Sequence, residues 1–298
     1  MSMLQPVLRE AGPTDPVPLA WGQLELPDAW PDALDLRRPR DLWRFLAKVL
    51  LRRLGRVRLP PELPLNVALP EYLLLEFHNL PNGNYSKKVA RGYSTGFDLV
   101  MLGEMRRARR AMAQALNGCG AVLDVGCGAG HSTQALLDAG AQEVWGLDAS
   151  PYLLQHAARQ YSGPRFVQGL AERCGFPARR FDGVSACFLF HEMPPRFTEE
   201  ALAELRRVLR PAGLLSVLEP AAEQFFGRPW RLLRKYGWRG IYFWWLARFV
   251  HEPFVAAWQK RDVPAWLARH GFELIEDRDL FPARLITARK IQTLPDIG

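Results

Sequence analysis

Cysteine is scarce in this sequence. Four occur in 298 residues: Cys119, Cys127, Cys174 and Cys187. None forms a C-x-x-C pair and none stands with histidine at zinc-binding spacing, which argues against a metal ribbon. They read as small buried thiols in a reducing compartment. Long apolar runs are missing too. No stretch reaches the roughly 20 residues that a membrane span needs. The nearest, Ile241 to Val250, is broken by Arg248 and followed by His251 and Glu252. The N-terminus lacks the apolar core of a secretion signal and is crowded by Pro6, Pro13, Pro16 and Pro18. A cytoplasmic protein is expected, with attachment to a membrane surface left open. There is no internal repeat.

What is present is an ordinary globular composition, 48% hydrophobic and 23% charged, with a net charge of +8. A basic balance can serve nucleic acid, an anionic membrane or an acidic substrate, and says nothing of fold. The length admits one large domain with additions, or two modest ones. Residues 1 to about 35 are Pro-rich and aperiodic, and read as a loop or poorly ordered arm. From Asp41 to Leu54, Leu42, Phe45, Leu46, Val49 and Leu50 recur on one helical face, with Arg44, Lys48, Arg52 and Arg53 mostly elsewhere. Pro60, Pro61 and Pro64 stop that helix. Pro70 to Phe77 reads as a short helix, Phe77 to Ser86 as a run of turn chemistry, and Phe97 to Leu116 as a helix.

From Ala121 the pattern changes to short apolar runs alternating with helical ones. Strands are predicted at Ala121–Val125, Glu143–Leu147, Arg165–Gln168, Phe181–Phe188, Gly213–Glu219, Phe272–Ile275 and Leu285–Arg289. Helices fall near 131–139, 151–161 and 198–210, and a helical, aromatic stretch covers about 221–270. This alternation implies an α/β fold, a doubly wound, seven-stranded, mainly parallel sheet. The chain thus divides into a Pro-rich arm and basic helical extension, 1–85, and a ligand-binding domain, 86–298.

The decisive segment is Ala121-Val-Leu-Asp-Val-Gly-Cys-Gly-Ala-Gly130. A buried strand ends near Asp124, and Gly126, Gly128 and Gly130 open a helix, letting the backbone approach a ligand closely. The next strand ends in Asp148, an acid placed to accept hydrogen bonds from both hydroxyls of a ribose. A nicotinamide cofactor would ask for G-x-G-x-x-G. Here His131 stands where the last glycine belongs, and the pattern D-x-G-x-G-x-G suits a cofactor without a pyrophosphate.

These residues resemble class I S-adenosylmethionine-dependent methyltransferases, especially the small-molecule branch that includes quinone C-methyltransferases. The resemblance covers about residues 86 to 220 well and the last strands loosely. It implies a Rossmann-like sheet, S-adenosylmethionine as cofactor and S-adenosylhomocysteine as product. It also implies that Asp124, Gly126, Cys127, Gly128 and Gly130 lie against the amino-acid part of the cofactor. Asp148 would bind the ribose, with Ala149 and Ser150 near the adenine. Leu170 stands where relatives usually carry an Asp for the adenine amino group. Backbone groups of Leu170 and Ala171 remain for the adenine, and Gln168 or Glu172 could substitute. Cys187 and Phe188 would sit beside the cofactor, and Pro211-Ala-Gly213 replaces the usual Pro-Gly-Gly.

Methyl transfer is an in-line displacement, so alignment and exclusion of water matter most. A base is needed only for a weakly acidic acceptor. His191, beside Glu192 after the fourth strand, is the leading candidate, because a histidine titrates near neutrality. It could equally orient its loop. His78 is the second candidate, either catalytic or satisfying local backbone groups. Tyr85 and Tyr93 could cap the cofactor or line the acceptor pocket, and Glu219, ending strand five, could face it. No carboxylate cluster suggests a catalytic metal, and none is expected. Six of the ten tryptophans lie between residues 225 and 270, among arginines. They suit a lid over a hydrophobic or aromatic small-molecule acceptor, a helical cap, or a membrane interface. Nucleic acid is not an expected partner, since the basic residues form no recognised module. The alternative function is a protein that binds the same cofactor without transferring methyl, as a cyclase, isomerase or scaffold.

Overall fold

Strand β1 (Ala121–Val125) is buried along its whole length, as a run of Ala, Val and Leu demands of a central parallel strand. The computed structural model describes residues 14–50, 55–76, 78–250 and 252–292. Residues 1–13, 51–54, 77, 251 and 293–298, which include parts of the expected arm, basic helix and C-terminal domain, lie outside the described residues. Parallel neighbours flank β1: β2 (Glu143–Asp148) on one side and β4 (Phe181–Cys187) on the other. Then β3 (Arg165–Gln168) pairs with β2, and β5 (Leu209–Pro220) with β4. A C-terminal hairpin, β6 (Phe272–Leu280) and β7 (Ala283–Lys290), joins antiparallel. The order is β3-β2-β1-β4-β5-β7-β6. All seven predicted strands are present.

The order reverses between β1 and β4, and in open sheets ligands bind at the carboxyl ends of strands at such a point. Helices α4 (His131–Asp138), α5 (Pro151–Gln160) and α6 (Pro195–Val208) follow β1, β2 and β4. The largest core lies where α6 and the later α10 (Val255–Gln259) and α11 (Val263–Arg269) meet the sheet, filled by Phe176, Phe190, Trp258 and Trp266.

Four expectations need correction. The helix predicted over Phe97–Leu116 is two, α2 (Lys87–Val100) and α3 (Glu104–Gln114). Leu102 (φ 52°) and Gly103 (φ 75°) take left-handed conformations between them, which breaks the helix. Its start also moves to Lys87, because Ser86 caps it by accepting from the Val89 N–H. Strand β6 runs on through Glu276, Asp277, Arg278 and Asp279. It is an edge strand, where charge prevents edge-to-edge pairing and hides the strand signal. The short helix expected over Pro70–Phe77 is a single 3-10 turn, Glu71–Leu74.

The fourth correction concerns the Pro-rich arm. Its described part, from residue 14, is irregular but pinned to the domain. Trp21 is only 1% exposed and its indole N–H donates to the Phe166 carbonyl at 3.1 Å. Gln155 and Arg159 of α5 donate to Leu24 and Gly22 carbonyls. Asp32 accepts from the Ser86 hydroxyl and from the Lys87 and Lys88 N–H groups, so the arm also caps α2. An aperiodic segment can be anchored by single side chains, which periodicity does not reveal. Helix α1 (Pro39–Leu50) does form, yet Leu42, Trp43 and Leu46 stay exposed.

Candidate functional site

The loop after β1 is stapled to β2: Gly126 and Cys127 N–H groups both donate to the Leu147 carbonyl, at 2.8 and 3.0 Å. Gly130 (φ 82°) has no room for a side chain, since a Cβ would meet Tyr161, Ala157 and Phe166 at about 3 Å. Gly128 (φ 52°) differs. A Cβ there would meet nothing within 4 Å, because it faces the cleft. Asp148 accepts from the Gly128 N–H at 2.9 Å and the Ser150 N–H at 2.8 Å. Burial raises its carboxyl to about 6 against those two donors, with Glu192 and Asp124 adding repulsion.

Most of the sequence-derived cofactor residues meet at one cleft: Gly126, Gly128, Asp148, Ala149, Ser150, Leu170, Ala171, Cys187, Phe188, Tyr85 and Tyr93 all line it, with His78. Asp124, Cys127, Gly130 and His191 do not; they stand behind its wall. Asp124 is fully buried and accepts from the Ser132, Thr133 and Ser185 hydroxyls at 2.6–2.7 Å, locking the loop between α4 and β4. Gln168 is spent as a brace: its amide donates to the Ala149 carbonyl and accepts from the Asn66 N–H. Glu172 accepts from the Tyr72 hydroxyl.

The roof comes from residues 72–93. Its turn run holds His78, Asn79 and Asn82 at positive φ, a strain that residues in a functional loop sustain when partners over-determine it. Buried Asn82 supplies them, bonding Arg58 and Tyr85 backbone atoms, while Glu76 accepts from Asn82, Gly55 and Lys48. The Ser150 hydroxyl donates to the Asn84 carbonyl, latching roof to floor. Among the described residues, none of the insertion's tryptophans lines the cleft, and the insertion reaches its polar end only through Glu252. Between β5 and β6 run α7 (Ala222–Phe226), α8 (Pro229–Tyr236) and α9 (Trp238–Phe249) before α10 and α11. Trp258 and Trp266 are core, packed on Phe190, while Trp230, Trp238 and Trp245 are exposed.

One end of the cleft is polar. His78 Nε2 lies 3.1 Å from Glu192 Oε1 and 3.5 Å from Glu252 Oε1. His191 Nδ1 lies 2.6 Å from Glu219 Oε2, and its Nε2 is 3.7 Å from Glu252 Oε1. Glu219 is fully buried and also accepts from the Leu189, Phe190 and His191 N–H groups. Burial disfavours charge on both imidazoles. The Glu192 and Glu252 carboxylates outweigh it at His78, lifting it to about 10. Glu219 and Glu252 outweigh it at His191, holding that ring well above its ordinary value. Glu252 was missed by sequence reasoning: it follows an apolar helix with no motif to mark it. Glu219 was singled out, but its pairing with His191 joins residues 28 apart.

A family model described as a methyltransferase domain matches residues 122–213. An uncharacterized methyltransferase of Synechocystis is 39% identical over 98 residues, 33% of this chain and 46% of that protein. A demethylmenaquinone methyltransferase of Bacillus licheniformis is 32% identical over 149 residues, 47% of this chain and 63% of that protein. A ubiquinone/menaquinone biosynthesis C-methyltransferase of Burkholderia mallei is 31% identical over 174 residues, covering 53% of this chain and 68% of that protein. The chain belongs to the class I S-adenosylmethionine-dependent methyltransferases. It spans about half the length of several curated relatives that it matches.

The cleft of this methyltransferase-family chain fits that cofactor. A carboxylate offers about four lone-pair sites. Asp148 spends two on Gly128 and Ser150, which leaves acceptor capacity for ribose hydroxyls. The open face of Gly128 is where a methionyl chain could lie against backbone, and Gly169, Leu170 and Ala171 line the part of the cleft left for the adenine.

Proposed function

We propose that the chain transfers a methyl group from S-adenosylmethionine to an oxygen, nitrogen or carbon of a small hydrophobic or aromatic acceptor. One observation carries this reading. A single cleft joins the Gly128–Asp148 cofactor loop to an aromatic wall, Phe188 and Tyr93, and then to the polar cluster of His78 and Glu192. When bound, the cofactor supplies an electrophilic methyl on a sulfonium. The chain's residues align, desolvate and orient. Asp148 fixes the ribose, and Cys187 and Phe188 pack beside the sulfur end. Phe188 holds a positive φ of 55° and its N–H donates to the Leu218 carbonyl, so its ring is rigidly presented. The roof over residues 72–93 excludes water.

The acceptor's polar atom is assigned to the cluster, where His78, lifted to about 10 and so protonated near neutrality, donates a hydrogen bond to it, and His191 stands behind the wall as a positioning residue. Glu219 orients His191 so that Nε2 is the atom turned toward Glu252. The names of the quinone-methylating relatives support an aromatic acceptor. Peripheral membrane contact is part of the same reading: α8 exposes Trp230 and Leu233 beside Arg231 and Arg234, as an interfacial helix does. Among the described residues no helix is long and apolar enough to cross a membrane.

The test is transfer of labelled methyl from the cofactor to a panel of hydroquinones, phenols and apolar amines. Labelled product with one acceptor class is expected. Tight cofactor binding with no label transferred to any of them overturns the reading.

A further inference from the structure

We infer that His78, His191 and Glu252 form a binding site for a divalent transition-metal ion of the zinc class at the acceptor end of the cleft. No metal is expected from the sequence, because no carboxylate cluster marks one, and these three residues lie far apart in the chain. The fold brings them together. Their ligand atoms, one from each residue, all lie within 4.8 Å of one another. Ligands about 2.1 Å from a tetrahedral ion stand about 3.4 Å apart. Glu252 Oε1 is 3.5 Å from His78 Nε2 and 3.7 Å from His191 Nε2, so two of the three edges need contract by only a few tenths of an ångström. Glu192 Oε1, 3.1 Å from His78 Nε2 and 4.0 Å from His191 Nε2, stands beside the three ligands, where it would accept a hydrogen bond from a water or hydroxyl on the ion's open position.

A second observation points to a ligand independently. His191 is 1% exposed, and its Nε2 has no hydrogen-bond partner among the described residues. A buried polar atom without a partner is costly. This one aims into the cluster, with its nearest acceptor at 3.7 Å, beyond hydrogen-bond reach. Its orientation is fixed from behind. Glu219, itself held by three backbone N–H groups, takes Nδ1 at 2.6 Å. A carboxylate behind the far nitrogen of an imidazole is how metal-binding histidines are oriented and made more basic.

Charge gives the same answer. Three carboxylates, Glu192, Glu219 and Glu252, surround two imidazoles. With both rings protonated the cluster carries one net negative charge. One divalent ion in place of the two protons leaves that charge unchanged. Two imidazole nitrogens with carboxylate oxygen suit zinc, whereas magnesium and calcium prefer all-oxygen sets. His78 and Glu192 line the cleft, so the ion's remaining positions face it. Resting on the methyl-transfer reading, those positions would hold a hydroxyl or enol oxygen of the acceptor, and His191 would act as a ligand in place of a free base.

The experiment uses the full chain, stripped with chelator and titrated with Zn2+ against a chromophoric competitor. One saturable equivalent per chain is expected, with a dissociation constant of about 1 μM or below. Co2+ in its place should give the visible bands of a four- or five-coordinate nitrogen–oxygen site. His78→Ala and Glu252→Gln should each weaken Zn2+ at least ~100-fold, and Glu219→Gln by ~10–100-fold as a positioning residue. Calorimetric affinity for S-adenosylhomocysteine should stay near wild type in all three. Absence of a saturable equivalent, or an affinity that His78→Ala and Glu252→Gln leave unchanged, overturns the site and leaves a cluster of ion pairs. If a variant fails to fold, the wild-type Co2+ spectrum decides, since six-coordinate aquo-type bands would also overturn it. Loss of cofactor binding in the wild type would instead sink the methyltransferase reading and leave the metal result standing.

Discussion

At Asp148, burial and two backbone donors pull in opposite directions. Burial wins, and the carboxyl of the free protein titrates near 6. Ribose hydroxyls donate to the ionised form, so binding selects it and pulls its titration downward. Affinity for S-adenosylhomocysteine is therefore full above that value and falls as pH drops through it. One unit below, it should be about tenfold weaker. Calorimetry across this range checks the sign, and a flat profile would remove Asp148 from the ribose. Asp148→Ala should cost about 1–3 kcal/mol of binding and abolish the pH dependence. The place of this residue in the cleft was legible in the sequence because its motif is local: an acid at the end of the strand after a glycine loop. Asp124 was legible as a position but not as a role. Its partners Ser132, Thr133 and Ser185 carry no signature, so whether its carboxylate meets the ligand or holds the loop emerges only when the loop is folded.

Among the elements, the arm and the aromatic insertion departed most from expectation. An aperiodic Pro-rich segment reads as loose, yet Trp21 fills a site between α5 and β3 with Leu154, Ala157 and Phe166. Trp21→Ala should lower stability by about 3–5 kcal/mol, read in a denaturant melt, and deletion through residue 35 should aggregate. A variant as stable as wild type would show that the segment only rests on the domain. The insertion was expected to lid the acceptor, and its tryptophans split by environment instead. Those on α10 and α11 entered the core, Trp230, Trp238 and Trp245 on α8 and α9 remained at the surface, and Trp244 is half-buried. Periodicity could not sort them, because α9 is apolar nearly all round. Sedimentation with vesicles containing anionic phosphatidylglycerol should pellet the protein, and Trp230→Ala with Trp238→Ala should cut the bound fraction several-fold. Equal pelleting of wild type and variant would remove the membrane role from this face.

For the whole molecule, legibility followed sequence distance. The central strands are apolar runs buried on both faces, and each was visible from its own residues. Most of the proposed cofactor end of the cleft lies within residues 121–171 and was visible in one motif and the family resemblance it carries, while Cys187, Phe188, Tyr85 and Tyr93 join it from elsewhere in the chain. The polar end, proposed for the acceptor, is assembled from residues near 78, 191, 219 and 252, on four separate pieces of chain. No window of sequence contains two of those pieces, so only the fold could reveal that they meet.

The hydroxyl of Ser150 joins the two halves. It donates to the Asn84 carbonyl in the roof, accepts from Leu153 at the start of α5, and belongs to the residue whose N–H is held by Asp148. A ligand gripping Asp148 therefore tightens against the same residue that fastens the roof. Were the roof to lift for cofactor exchange, the Ser150–Asn84 bond would have to break with it, which would tie the exchange rate to the lifetime of the closed roof.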